Sequence, residues 1–153
     1  MEPRLQFHNA APDLMKKVFA LNEAVTNCGL EPDLLHLMKL RASQINGCSY
    51  CVDMHTREAR RDGETEQRVH LVSAWRESPL FTDRERAALA WTERLTELAG
   101  HHIEDEHFNA TREHFSEEEM VKLSVTIGMI NIWNRLCTGF RAVHPVIPAV
   151  EAA

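Results

Sequence analysis

Residues 47–55 read Gly-Cys-Ser-Tyr-Cys-Val-Asp-Met-His, a stretch that places two cysteines and a histidine at helical spacing. Cys48 and Cys51 stand three positions apart, so on a helix they share one face, with about 5–6 Å between their Cβ atoms. At that distance two thiols can be exchanged for a disulfide. His55 follows one turn after Cys51, where its imidazole can take up or return a thiol proton. The stretch therefore predicts a redox-active dithiol with an adjacent base.

The composition of the chain is that of an ordinary globular domain. Of its 153 residues, 44% are hydrophobic and 26% are charged, which excludes a disordered chain. The formal charge of −6 argues against binding to a nucleic-acid backbone. No apolar run approaches the ~18 residues needed to cross a bilayer, and the first residues lack the order of a secretory signal. We therefore expect a cytoplasmic protein with neither a membrane nor a nucleic-acid partner.

The spacing of apolar residues is helical throughout, and no segment shows sustained strand-like alternation. It predicts an all-α fold of about six to seven helices in a single domain, 13–145, between a loose N-terminal segment, 1–12, and a C-terminal tail, 146–153. The Cys-x-x-Cys stands at the start of the third predicted helix. The helices are predicted at 13–28, 32–45, 48–62, 65–78, 82–100, within 101–114, and 116–143, the fifth and the last beginning at the capping boxes Thr82 to Glu85 and Ser116 to Glu119.

The last predicted helix is apolar nearly all round between residues 125 and 133. Such a helix is expected to be buried on every side, either in the core or in a contact between copies of the chain. A chain of this size has few faces with which to cover it. The pattern therefore favours a homo-oligomer.

Four cysteines are too few and too unevenly spaced for a secreted disulfide framework, so their chemistry should be catalytic, redox-sensing or metal-binding. Cys28 and Cys137 are expected to be buried. Since the helical core needs no metal to hold it together, we expect neither a metal ion nor a cofactor.

The dithiol leaves two alternatives to an enzyme open. Cys48, Cys51, His55 and His36 offer two thiolates and two imidazoles, which would satisfy a tetrahedral zinc ion without catalysis. A redox-sensing or binding module would use the same disulfide as a switch. Turnover separates a catalyst from a switch, because a switch consumes one equivalent of oxidant.

The sequence around the dithiol resembles the AhpD-like alkylhydroperoxidases of the carboxymuconolactone decarboxylase superfamily. The likeness rests on residues 40–55, on residues 58–60 and Gly63, and more loosely on residues 130–135. It implies an all-helical homotrimer or homohexamer that reduces a small hydroperoxide through a disulfide cycle. An external dithiol or a protein reductant would reset the disulfide.

In the pattern of that family the second cysteine attacks peroxide and the first resolves it. The resemblance therefore implies that Cys51 is peroxidatic, that Cys48 is resolving and that His55 relays the proton. Two positions depart from the pattern: His36 stands where the family has its relay glutamate, and Tyr50 stands where the best-studied branch has a histidine. Since a histidine is not a fixed anion, proton transfer through His36 would differ from the family scheme.

Simple physics and the resemblance disagree about which thiol attacks. A cysteine at a helix N-terminus gains most from the helix dipole, which favours Cys48 as the thiol of lower pKa. His55 lies one turn from Cys51 and nearly two from Cys48, which favours Cys51. We expect Cys51 to attack peroxide and Cys48 to be the exposed sulfur that a reductant reaches. On this division, Cys48→Ser traps a sulfenic acid on Cys51.

Overall fold

Every regular element is helical in a computed structural model of the chain, which describes residues 1–100 and 102–147. This confirms the predicted all-α fold. A single-turn helix precedes the first predicted one, so the Cys-x-x-Cys stands at the start of the fourth helix. The helices are α1 Phe7–Ala10, α2 Pro12–Thr26, α3 Pro32–Ile45, α4 Ser49–Arg61, α5 Glu66–Leu71, a 3₁₀ helix Val72–Glu77, α6 Asp83–Thr96, α7 Asp105–Arg112 and α8 Glu117–Gly139.

α3 is the central helix of the core. Its Leu37, Met38 and Leu40 are at most 1% exposed, and it packs against α4, α6 and α8. Apolar residues at 34, 35, 37, 38 and 40 leave little polar surface on the helix, so neighbours cover it from several sides. Burial of each such side chain stabilises the fold by roughly 1.5–3 kcal/mol. This packing fixes the position of α3 and therefore of the turn that leads into α4.

Both predicted capping boxes are confirmed. The Thr82 hydroxyl accepts a hydrogen bond from the backbone N–H of Glu85, and the Glu85 carboxylate accepts one from the backbone N–H of Thr82. Ser116 and Glu119 form the same reciprocal pair at the start of α8. Each cap contributes about 1 kcal/mol. Short-range signals thus determine where α6 and α8 begin.

The predicted helix 65–78 is interrupted. It starts as α5 but continues as a 3₁₀ helix, with non-helical dihedral angles at Ala74. Pro79 has no backbone N–H and does not continue the helix. The Arg86 guanidinium instead donates hydrogen bonds to the carbonyls of Trp75, Arg76 and Ser78. A long-range partner therefore replaces the last turn that the local pattern predicts.

α8 ends at Gly139, four residues before its predicted end at residue 143. The chain leaves the helix through a left-handed residue, Arg141, with φ +57°. The backbone N–H of Ala142 then donates to the carbonyl of Cys137 at 2.8 Å, as in a Schellman turn. The Arg4 guanidinium donates to the carbonyl of Gly139, so the N-terminal segment closes the end of α8.

The apolar stretch of α8 is buried on one side only. Met129 and Ile130 are each 2% exposed, whereas Val125 is 40% and Ile132 is 39% exposed. Within a single chain the core therefore covers only part of this stretch, and its burial in a contact between copies stays a prediction. Cys28 is half-buried and Cys137 is buried, so the expectation for these two cysteines holds fully for Cys137 alone.

The predicted tail, 146–153, extends past the described residues, since 148–153 lie outside them. The boundaries of the segment 1–12 and of the domain 13–145 stay predictions. Within the described residues no helix combines the length and the apolar character needed to cross a lipid bilayer.

Candidate functional site

The turn between α3 and α4 carries the dithiol and is closed by a Schellman motif. The backbone N–H of Cys48 donates to the carbonyl of Ser43 at 3.0 Å, and that of Gly47 donates to Gln44 at 3.2 Å. Gly47 takes the left-handed conformation this motif requires, with φ +63°. A residue with a Cβ would cost about 1–2 kcal/mol there. The glycine thus fixes where Cys48 enters the next helix.

Cys48 is the N-cap residue of α4, and its sulfur accepts the hydrogen bond that a side-chain oxygen usually accepts at this position. The backbone N–H of Cys51 donates to Cys48 Sγ at 3.3 Å, and the two sulfur atoms lie 2.6 Å apart. Cys48 is 2% and Cys51 is 1% exposed. The expectation that Cys48 is an exposed sulfur is therefore wrong, because the turn packs against α8 instead of facing solvent.

Asparagines of α8 hold this turn in place. The Asn46 side-chain amide donates to the side-chain carbonyls of Asn131 and Asn134 at 3.0 and 2.9 Å. Asn134 in turn donates to the hydroxyl of Ser43. Polar groups buried this deeply are costly unless they are paired, so the network selects one position of α8 against the turn.

The packing of α8 brings a third cysteine into the site. Cys137, in the last turn of α8, is 5% exposed, and its sulfur lies within 4.8 Å of the sulfurs of Cys48 and Cys51. We call these three residues the thiol cluster. Sequence reasoning predicted that Cys137 is buried but missed its place in the site. No local signal points to it, since it lies 86 positions from Cys51.

Hydrogen bonds within the thiol cluster give the three thiols different pKa values. Those from the thiols of Cys137 and Cys51 lower the pKa of Cys48. The contacts with Cys137 and Cys48, together with burial, raise the pKa of Cys51. Donation to Cys48 also raises the pKa of Cys137. These hydrogen bonds favour Cys48 as the thiolate of the cluster, which is the order that the helix-dipole argument favours for a different physical reason.

His55 lies one turn beyond Cys51 on α4 and is paired with a carboxylate. Its Nδ1 lies 2.9 Å from Oε2 of Glu58, and its Nε2 is buried without a hydrogen-bond partner among the described residues. Burial lowers the pKa of His55, against the raising effect of Glu58, and the bond to His55 lowers the pKa of Glu58. His55 is thus a neutral imidazole with its proton on Nδ1 and a free lone pair on Nε2.

Glu58 is a second site residue that sequence reasoning missed. The His-x-x-Glu spacing was a signal for it, because residues three apart on a helix are neighbours. His36, at the position of the family's glutamate, instead pairs its Nε2 with Oδ2 of Asp62 at 3.0 Å. The site therefore contains a carboxylate next to His55 that comes from α4 and not from α3.

The ligand set of the zinc alternative is not assembled. In the part of the chain that the structure describes, the grouping of possible metal ligands at the dithiol consists of the thiol cluster, without a histidine. The two histidines bond to carboxylates, His55 to Glu58 and His36 to Asp62. A site with two thiolates and two imidazoles would need both side chains to leave these partners.

A cavity of about 850 Å³ connects these groups. Cys51, Cys137, His55 and His36 line it, whereas Cys48 does not. Part of the lining is apolar and largely aromatic, with contributions from Phe7, Phe19, Tyr50, Met54, Ile130 and Trp133. The site thus offers a molecule in the cavity two thiols and three imidazoles, those of His36, His55 and His8, whereas Cys48 lies outside the lining.

Comparison with known proteins relates the chain to proteins of this architecture. It is 38% identical over 136 residues to the YdfG protein of Bacillus subtilis, which covers 89% of this chain and 92% of that protein. It is 49% identical to a solved structure from Agrobacterium tumefaciens, ATU0492, a protein of unknown function named for AhpD and antioxidant defence. The TM-score is 0.92, over 95% of this chain and all of that one.

The fold extends to more distant proteins. The debrominase Bmp8 superimposes with a TM-score of 0.81 at 22% identity, over 90% of this chain and 74% of that one. Residues 12–94 match the model of the carboxymuconolactone decarboxylase family, which covers more than half of the chain. With the helical fold and the relatives above, this match shows that the chain belongs to the carboxymuconolactone decarboxylase family, as an AhpD-like member.

Proposed function

We propose that the protein is a thiol-dependent hydroperoxidase that cycles Cys48 and Cys51 between dithiol and disulfide. The observation that carries the proposal is the position of Cys51 on the wall of a cavity, with the Cys48 sulfur 2.6 Å behind it. A peroxide in the cavity meets Cys51 first. The family resemblance and the relative named for antioxidant defence support the same reaction.

The first step needs a base, because the Cys51 thiol has a raised pKa. His55 is suited to that role, since its Nε2 is unprotonated and Glu58 holds the proton on Nδ1. The thiolate then attacks the distal oxygen of the hydroperoxide and breaks the O–O bond. Cys51 becomes a sulfenic acid, and the alkoxide leaves as an alcohol after taking the proton that His55 received.

The second step joins the two cysteines. Cys48 has a lowered pKa, so it is already a thiolate when the sulfenic acid forms beside it. Its sulfur attacks the sulfur of Cys51, a disulfide forms, and the hydroxyl leaves as water after taking one proton from solvent. The peroxide is thereby reduced by two electrons, and the Cys48–Cys51 disulfide carries the oxidation.

An external dithiol must then reduce the disulfide. Both cysteines are buried, but Cys51 borders the cavity and Cys48 does not, so the reductant meets the Cys51 sulfur first and leaves Cys48 as the departing thiolate. The low pKa of Cys48 makes it a good leaving group. The cycle also requires a compartment whose thiol pool is reducing, which the cytoplasm provides.

The cavity favours an organic hydroperoxide over hydrogen peroxide. Its 850 Å³ is in the range that holds a drug-sized molecule, far more than a peroxide alone requires. The aromatic part of the lining, which includes Phe19 and Trp133, gives an apolar body a surface to bind. The reacting O–O group would lie beside Cys51 and His55, which line the same cavity.

Turnover with cumene hydroperoxide and dithiothreitol tests the proposal. We expect many equivalents of hydroperoxide to be consumed per chain. Without dithiothreitol, one equivalent should remove two thiols, and dithiothreitol should restore them. Consumption that stops at one equivalent would favour the sensor, and one tightly held zinc per chain in elemental analysis would favour the metal site.

We also propose that the chain assembles into a homotrimer or homohexamer through α8. Val121, Val125, Gly128 and Ile132 follow one another at helical spacing, and the three large side chains are 63%, 40% and 39% exposed. An apolar stripe with a glycine at its centre allows close approach of a second helix. Light scattering should give three or six times 17.5 kDa, and a mass of 17.5 kDa at micromolar concentration would contradict the assembly.

A further inference from the structure

Cys137 has no part in the two-cysteine cycle, although it lies beside both of the cysteines that carry it out. Its sulfur lies within 4.8 Å of both other sulfurs, and it borders the same cavity as Cys51. Its position is well fixed, because its carbonyl accepts the hydrogen bond that closes α8 and Asn134, one turn earlier, is bonded to Ser43. A buried thiol with a packing role alone needs neither contact.

We propose that Cys137 is a second resolving thiol for Cys51, an inference that rests on the proposed peroxide reaction. In this step the Cys137 sulfur attacks the sulfur of the Cys51 sulfenic acid, a Cys51–Cys137 disulfide forms, and the thiol proton leaves with the hydroxyl as water. The step needs no further oxidant or reductant. It uses the same two oxidising equivalents that the Cys48–Cys51 disulfide would otherwise carry.

The two disulfides are connected by internal exchange. The Cys48 thiolate can attack Cys51 in the Cys51–Cys137 disulfide, which forms the Cys48–Cys51 bond and releases Cys137 as a thiolate. The released Cys137 thiolate then takes up a proton from solvent. Having two thiols within reach shortens the life of the sulfenic acid, which protects Cys51 from over-oxidation by a second peroxide.

The Cys51–Cys137 disulfide also links two parts of the fold that are distant in sequence. A Cys48–Cys51 bond joins neighbouring positions of one turn, whereas a Cys51–Cys137 bond ties the start of α4 to the end of α8. It closes a loop of 86 positions, so it constrains the unfolded chain far more than the short bond does. The three-thiol arrangement therefore changes the expectation for Cys48→Ser, which should form a disulfide and not a trapped sulfenic acid.

Peptide mapping of the Cys48→Ser protein tests the inference. After one equivalent of cumene hydroperoxide, we expect the tryptic peptides 42–57 and 136–141 to be linked through a disulfide. Cys48→Ser/Cys137→Ser should instead accumulate a sulfenic acid that dimedone labels. The matched control, Cys48→Ser/Cys28→Ser, removes a half-buried cysteine outside the thiol cluster and should give the linked peptides as before.

A second oxidant separates this inference from the peroxide reaction. Diamide joins neighbouring thiols without a sulfenic acid, so it should link the same peptides in Cys48→Ser even if peroxide does not react. Linkage with diamide, combined with neither linkage nor a sulfenic acid after peroxide, would overturn the proposed function but would still show that Cys137 can bond to Cys51. A dimedone-labelled sulfenic acid that persists in Cys48→Ser, or no linkage with diamide, would overturn the role of Cys137.

Discussion

Cys51→Ser is expected to abolish hydroperoxide turnover, with a loss of roughly 10³-fold or more. A covalent nucleophile cannot be replaced by the contacts around it, so only the background that binding supplies remains. The serine keeps the size of the side chain, and its pKa is far too high for His55 to ionise it to a useful extent. Turnover of cumene hydroperoxide with dithiothreitol measures the loss.

The matched control for this variant is Cys28→Ser. Cys28 packs against the core beside Leu30 and Leu34, away from the thiol cluster, so its removal should leave turnover unchanged. Mass spectrometry of Cys51→Ser after one equivalent of peroxide should find no sulfenic acid. If Cys48 is oxidised instead, to a sulfenic acid or to a disulfide with Cys137, the roles of Cys48 and Cys51 are reversed, and the low pKa of Cys48 identifies the nucleophile better than the cavity does.

The features that the sequence predicts well are those encoded within a few residues. The capping boxes at Thr82 and Ser116, the glycine that ends α3 and the helical spacing all depend on neighbours along the chain, and the structure contains each of them. The spacing of Cys48 and Cys51 belongs to the same kind of information. A turn of helix fixes their distance regardless of what packs around it.

Long-range packing explains what the sequence could not predict. Cys48 was expected at an exposed helix end, but Asn131 and Asn134 of α8 bond to the preceding turn and bury it. The same contact brings Cys137 to the dithiol. Neither fact has a local signature, because both depend on the position of α8 over α4. The cavity likewise joins side chains from helices that are distant in sequence.

Glu58 is an intermediate case, because the His-x-x-Glu spacing is a local signal that does not by itself give Glu58 a role. The resemblance puts the family's relay glutamate at position 36, where this chain has His36. In the structure, Glu58 bonds to His55 from three positions further along α4. The carboxylate next to the imidazole is thus present at a different point in the sequence, and His36 lies with Asp62.

His55→Ala is expected to lower kcat/KM by roughly 10²–10⁴-fold, the usual effect of removing a general base. The Cys51 thiol has a raised pKa, so without a base few molecules carry the thiolate at neutral pH. Loss of the imidazole should also remove the part of the pH–rate profile that reports its protonation. A variant that keeps both the rate and the acid limb would show that another group accepts the proton.

Glu58→Gln tests how that base is tuned. The glutamine can still accept the hydrogen bond from Nδ1–H, so the lone pair stays on Nε2, but the negative charge that raises the pKa of His55 is gone. The pKa of His55 should therefore fall further below its ordinary value near 6.5, and the acid limb of kcat/KM should move to lower pH. The plateau should fall as well, because the imidazole becomes a weaker base.

Asp53→Asn is the matched control for this change, since it removes a carboxylate from the same helix. Asp53 pairs with Arg57 at 2.6 Å on the outer face of α4 and does not border the cavity, so neither the acid limb nor the plateau should move. A merely structural role for Glu58 would lower the plateau and leave the acid limb where it is. An acid limb that stays in place, or moves to higher pH, would therefore contradict the assignment of Glu58 as the residue that sets the proton affinity of His55.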